Sequence, residues 1–129
     1  MPPSPCPSVR IYAYSGCDTC RKALRFLAAR NVDHEVLAIR ETPPSLAELR
    51  RMLDFVGGDL RRLFNTSGQD YRAQGLGSTL ASMDTESALG LLAGNGNLVK
   101  RPFVITPTDG LVGFREDPWD RSYPAPPGA

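Results

Sequence analysis

The stretch VRIYAYSGCDTCRKALRFLAARNVDHEVLAI, Val9 to Ile39, decides the fold. Val9 to Tyr14 is a short β-branched and aromatic run, the pattern of a buried strand, and Ser15 and Gly16 break it. After Cys17 the apolar positions fall at Cys20, Ala23, Leu24, Leu27 and Ala28. Steps of three and four make one face of a helix, with Arg21, Lys22 and Arg25 elsewhere around it. Asn31 is placed to end that helix, and His34 to Ile39 reads as a second strand. A strand, a helix and a strand joined by short connections imply a right-handed crossover and a parallel strand pair.

Beyond this unit, TPPSLAELRRMLDFVGG (42–58) starts a helix at a capping box, Ser45 with Glu48, and stops it at Gly57 and Gly58. DLRRLFNTSGQDYRAQGLG (59–77) reads as a short helical turn and a loop. Asp84 caps a further helix running to about Ala93, closed by GNGN. RPFVITPTDGLVGF (101–114) holds two apolar runs, Phe103 to Thr106 and Leu111 to Phe114, around a turn containing Asp109 and Gly110. That is a β-hairpin. The acidic residues after it, with Trp119, begin a final helical turn. The order is βαβ, then helices, then ββα. The expected fold is therefore α/β and thioredoxin-like, a small mixed sheet with a helical insertion at about residues 43–97. The domain is expected over 9–120. A Pro-rich tail is expected at 1–8 and another at 121–129, both mobile.

A chain of 129 residues with 41% hydrophobic and 22% charged residues suits one globular domain. A net charge of +1 leaves no broad footprint for direct nucleic-acid or anionic-membrane binding, though a local basic site remains open. No run approaches the roughly 18 apolar residues of a membrane span. MPPSPCPSVR at the start has no apolar secretion core, so a cytoplasmic location is the expectation, and a monomer is expected because no long apolar helix face is left over. GLGS at 75–78 lacks the lysine and spacing of a phosphate loop.

The pair Cys17 and Cys20 admits three readings. As a redox pair, Cys17 lies between a strand and a helix N-terminus, where unpaired N–H groups and the helix dipole favour a thiolate. Asp18 slightly opposes this. Cys20, one turn on and on the apolar face, is expected to be more buried and less reactive, and within reach for a disulfide. A closed zinc site needs about four ligands, and only Cys6 and His34 remain to supply them, without finger-like spacing, so no metal is expected. The third reading is two core thiols, because free cysteine behaves as a small hydrophobe. It accounts for Cys20 better than for Cys17, which a glycine precedes.

YSGCDTCRKALRFL, ETPPSLAEL, LFNTSGQDYR and LVKRPFVITPTDGLVGF together resemble, in order, the arsenate reductase and Spx-type family of thioredoxin-fold proteins. The resemblance runs from about Val9 to Trp119. It implies that Cys17 is a nucleophile, and that Arg61, Arg101 and Arg115 hold an oxyanion and stabilise the thiolate. It also implies that Pro102 is a cis-proline near the active cysteine, with Gly16 shaping the turn before it, and that the NTSG loop (65–68) borders the site. Each arginine also has an ordinary reading as solvated surface, among fifteen basic residues. The physical case agrees with the family, because guanidinium forks match arsenate oxygens with paired charge-assisted hydrogen bonds.

Two departures matter. Family members with a single catalytic cysteine carry a histidine four residues before it, where this chain has Ala13, and they lack the cysteine found here at position 20. The pair is instead similar to that of Spx and its reductase-like relatives. Reduction of arsenate through a Cys17–Cys20 disulfide is the first expectation, with no bound cofactor and with thioredoxin, or glutaredoxin and glutathione, as external reductant. The alternatives are an Spx-like redox regulator docking on RNA polymerase and a general thiol–disulfide oxidoreductase. The role of Cys6 stays open.

Overall fold

A computed structural model describes residues 9–14, 16–66 and 68–123. The expectations for the segment 1–8 with Cys6, for Ser15, for Ser67 and for 124–129 lie outside the described residues, while Arg121 and Ser122, expected in the C-terminal tail, belong to a final helix. A four-stranded sheet carries the molecule, with β1 Arg10–Ala13, β2 Glu35–Ala38, β3 Phe103–Ile105 and β4 Gly110–Val112 in the order β2-β1-β3-β4. β1 runs parallel to β2, with Ile11 opposite Val36, and antiparallel to β3, with Ile11 opposite Val104. The hairpin β3–β4 pairs Val104 with Leu111. A mixed sheet with the parallel pair supplied by a helical crossover is the thioredoxin-like α/β arrangement.

Side chains alternate across the sheet, so each strand serves two cores. Ile11, Ala13 and Val104 pack with Cys20, Ala23 and Leu27 of helix α1 (Asp18–Ala29) and with Trp119 of the helix that ends the described chain. Tyr12, Phe103 and Ile105 face the other way. They meet Leu49 and Met52 of α2 (Leu46–Phe55), and the same core takes in Leu89 and Leu92 of a later helix. Fully burying a side chain such as Leu27 contributes roughly 1.5–3 kcal/mol. The inserted segment continues with a 3₁₀ turn Leu60–Leu63, α3 Gln69–Ala73, α4 Leu76–Thr79, a 3₁₀ turn Leu80–Ser82, α5 Thr85–Gly94 and a 3₁₀ turn Gly96–Leu98. After β4 comes α6, Glu116–Ser122. Among the described residues no helix is long and apolar enough to cross a membrane.

Local chemistry accounts for the element ends. The Ser45 side chain accepts from the Glu48 N–H at 3.2 Å while Glu48 Oε1 accepts from the Ser45 N–H at 3.1 Å. Asn31 adopts φ +56°, and Gly57 and Gly58 adopt +75° and +83°, where the chain leaves α1 and α2. Two expectations need correction. Ala28 is exposed rather than on the apolar face. The inward rim of α1 is Phe26 instead, whose ring meets Phe114 and Trp119 edge-on, so the helix is rotated toward α6. The hairpin loop also differs, since Gly110 already pairs with Ile105 as the first residue of β4. Thr106 closes the loop: its N–H donates to the Asp109 carbonyl at 2.9 Å and its hydroxyl to Asp109 Oδ1 at 2.6 Å. β4 stops at Val112 because Gly113, at φ +71°, turns the chain away.

Candidate active site

The β1–α1 junction is a tight turn in which the Cys17 N–H donates to the Tyr14 carbonyl at 3.1 Å. Cys17 is the N-cap of α1, with extended φ and ψ of −103° and 118°. Its Sγ accepts from the Cys20 N–H at 3.3 Å, as a serine or aspartate oxygen would in the same place. The sulfur thus stands at the helix N-terminus, where unpaired backbone N–H groups point outward. Asp18 pairs outward with Arg21. A Cβ at Gly16 would lie 2.7 Å from Cε2 of the Tyr14 ring, so a larger residue there would displace the ring.

Cys20 has no exposed surface, and both thiols are free. Burial pushes the Cys20 thiol up to about 12; a hydrogen bond and the charge of Cys17 add to this, while a backbone hydrogen bond from Tyr14 and the charge of Arg101 oppose it. The two thiols therefore differ as a half-exposed helix cap and a buried, protonated neighbour.

The basic residues come from three distant stretches that the backbone brings together. Asn65 N–H donates to the Leu98 carbonyl at 2.7 Å and Lys100 N–H to the Leu63 carbonyl at 2.8 Å, around an antiparallel bridge between Phe64 and Val99. This pairing sets the turn that carries Arg61 and Arg62 beside Lys100 and Arg101. The Arg101–Pro102 peptide is cis, and the Pro102 carbonyl accepts from the Gly113 N–H at 2.9 Å, which brings in the segment leading to Arg115.

The result is a cleft of about 490 Å³ whose lining includes Arg61, Arg62, Lys100, Arg101 and Arg115, with Asp59 as its one acidic residue among the described residues. Thr19 from the first turn of α1 and Thr66 from the NTSG loop also line it. Cys17 itself is not part of the lining; it stands two residues before Thr19 at the end of the same helix. The structure thus brings Arg61, Arg101 and Arg115 into one cleft beside the helix end that bears Cys17. Lys100 and Thr66 escaped the reading of the sequence as individual contributors. Lys100 adjoins Arg101 in KRPF, which is the only local signal it offers. Arg101 has a further constraint, because its guanidinium carbon lies 5.3 Å from the Tyr14 ring centroid and its Nη1 is buried without a hydrogen-bond partner. Among the described residues no group of three or more His, Cys, Asp or Glu side chains could hold a metal ion.

A mixed four-stranded sheet, a crossover helix after β1 and a cis-proline before β3 define a thioredoxin-fold protein. Within that class the chain belongs to the ArsC family, whose model matches residues 12–122. It is 38% identical to the uncharacterized protein YusI of Bacillus subtilis, over 90% of this chain and 98% of that one. It is 30% identical to an arsenate reductase of Rhizobium meliloti, over 78% of this chain and 70% of that one. A global transcriptional regulator Spx of Listeria innocua is 27% identical, over 90% and 87% respectively. Among solved structures, an ArsC-family related protein of Bacteroides fragilis superimposes with a TM-score of 0.83 at 36% identity, covering 88% of this chain and 96% of that one.

Proposed function

We propose that the chain is a cytoplasmic thiol-dependent reductase of arsenate, with Cys17 as nucleophile and Cys20 as resolving thiol. The observation that carries this reading is the cleft of five cationic side chains beside the α1 terminus capped by Cys17. The relative named arsenate reductase supports the substrate. Arsenate and a thiolate are both anions and repel each other. Cations fixed in advance lower that repulsion without reorganising during the reaction. Arg61, Arg101 and Arg115 supply guanidinium forks for the equatorial oxygens.

The Cys17 thiolate attacks arsenic(V) and forms an S–As bond, and one arsenate oxygen leaves as water after taking up protons. Cys20 then attacks the Cys17 sulfur. The S–As electron pair departs with arsenic, which leaves as arsenite, arsenic(III), and Cys20 loses its proton as the disulfide forms. Two thiol electrons have reduced one arsenic, and an external thiol system, thioredoxin or glutaredoxin with glutathione, restores the pair. Gly16 lets the Tyr14 ring close over the turn, and Pro102 fixes the strand start behind Arg101.

Arsenate-dependent NADPH oxidation, coupled in parallel to both thiol systems, tests the reading. Turnover in the wild type that falls by about a thousandfold in Cys17→Ser is the expected outcome. Full turnover in Cys17→Ser, or none in the wild type with either system, would overturn it. A second reading, an Spx-like redox regulator, is favoured by the Listeria relative together with the cysteine pair. It requires redox-dependent capture of RNA polymerase, and absence of capture in both redox states removes it.

A further inference from the structure

A smaller chamber adjoins the cationic cleft, and the proposed arsenate chemistry leaves it unused. The two share Arg62, Val112, Gly113 and Arg115 as walls, so they meet at the end of β4. Apart from Gly110, the rest of the chamber's lining is apolar: Phe55 and Val56 where α2 ends, Leu111 of β4, and Pro118 and Trp119 of α6. Its volume is about 120 Å³. An apolar cavity of about 150 Å³ takes one benzene ring, so the chamber is ring-sized.

The aromatic walls are fixed in advance. The Trp119 indole N–H donates to the Gly113 carbonyl at 3.0 Å, and its ring meets Phe26 and Phe114 edge-on. Phe55 is 38% exposed, yet it lies so close to β4 that a Cβ at Gly110 would come within 2.9 Å of its Cδ2. A chamber with such walls, bordered by two guanidinium groups, matches a ligand that is apolar at one end and anionic at the other. Arsenate has four oxygens and no apolar part, so it occupies the cationic side alone.

We propose that the chamber is a subsite for an aryl group carried on the oxyanion, so that the site binds arylarsonates as well as arsenate. The inference rests on the arsenate reading of the first cleft and names a wider ligand class for it. In an arylarsonate one carbon–arsenic bond stands where arsenate has an oxygen. Three oxygens remain for Arg62, Arg115 and the other cations, and the ring packs among Phe55, Leu111 and Trp119. Because the walls are preformed, the apolar area that the ring removes from water appears as affinity.

The test is calorimetric titration of phenylarsonate, and of methylarsonate with the same head and no ring, into the full Cys17→Ser chain, which lacks the proposed nucleophile. Trp119 is the chain's one tryptophan, so its fluorescence reports on the chamber in parallel. Phenylarsonate is expected to bind about tenfold or more tighter than methylarsonate, to change the Trp119 emission saturably, and to be displaced by excess arsenate. Phe55→Ala is expected to remove most of that difference, with retained methylarsonate binding showing that the variant is folded. Equal affinities for the two arsonates, a Phe55→Ala loss shared by both, or phenylarsonate that arsenate fails to displace would each overturn the proposal and leave the arsenate reading in place. If neither arsonate nor arsenate binds, the oxyanion reading of the first cleft falls and the proposal falls with it.

Discussion

Cys20 and Cys17 differ in burial more than their spacing reveals. Cys20 is fully buried and its thiol is pushed up to about 12, so the resolving attack proposed for it requires loss of a proton at neutral pH. Its thiolate fraction rises about tenfold for each pH unit below that value. The disulfide-forming step, followed by rapid quench, is therefore expected to accelerate with a slope near one in log rate between pH 7 and about 9. A flat profile would show that Cys20 is not the group whose ionisation limits that step. At this scale the place of Cys17 at a helix start was legible, because a strand followed by Gly-Cys and an apolar face puts a thiol there. The part played by Tyr14 was not. A ring that meets Arg40 and Arg101 belongs to residues far apart in the chain, and no local pattern announces it.

Helix α2 and the hairpin were legible as elements because the determinants are local: Ser45 and Glu48 three residues apart, Gly57 and Gly58 at positive φ, and β-branched runs around a turn. The assembly of the cleft was not. It depends on pairing of the 3₁₀ turn Leu60–Leu63 with residues 98–100, contacts across more than thirty positions. Gly96 marks how closely that inserted segment meets the sheet. A Cβ there would lie 1.8 Å from the Ile39 carbonyl oxygen, just beyond β2. Backbone on both sides cannot yield cheaply. Gly96→Ala is expected to cost about 3 kcal/mol or more, read from the urea midpoint. Arsenate affinity should fall with it, because the same segment carries Lys100 and Arg101. A variant of unchanged stability would mean that this approach is looser than described.

One buried carboxylate ties α2 to the sheet at the scale of the whole molecule. Glu48 on α2 accepts from the Tyr12 hydroxyl of β1 at 2.7 Å and meets Arg10 at 3.4 Å, besides closing the cap with Ser45. Burial alone would raise this carboxyl. Hydrogen bonds from Tyr12 and Ser45 and the Arg10 charge overcome it and hold the group below the ordinary glutamate range. The unfolded chain therefore binds a proton before the folded one as pH falls. Stability from this group is complete above the ordinary range and is lost as pH drops through the lowered folded value. The wild-type urea midpoint should fall across that window, and Glu48→Gln should flatten the fall. Parallel profiles would assign the acid sensitivity to other groups.

The central claim is that Cys17 and Cys20 together deliver two electrons to an oxyanion held by the arginine cleft. A single-turnover experiment on the reduced full chain, given excess arsenate and no external reductant, tests it most directly. About one arsenite per chain, with both Cys17 and Cys20 lost to alkylation and no arsenite from Cys17→Ser, is the predicted result. Arsenite formation with both thiols still alkylatable, or oxidation of the pair without any arsenite, would contradict the account.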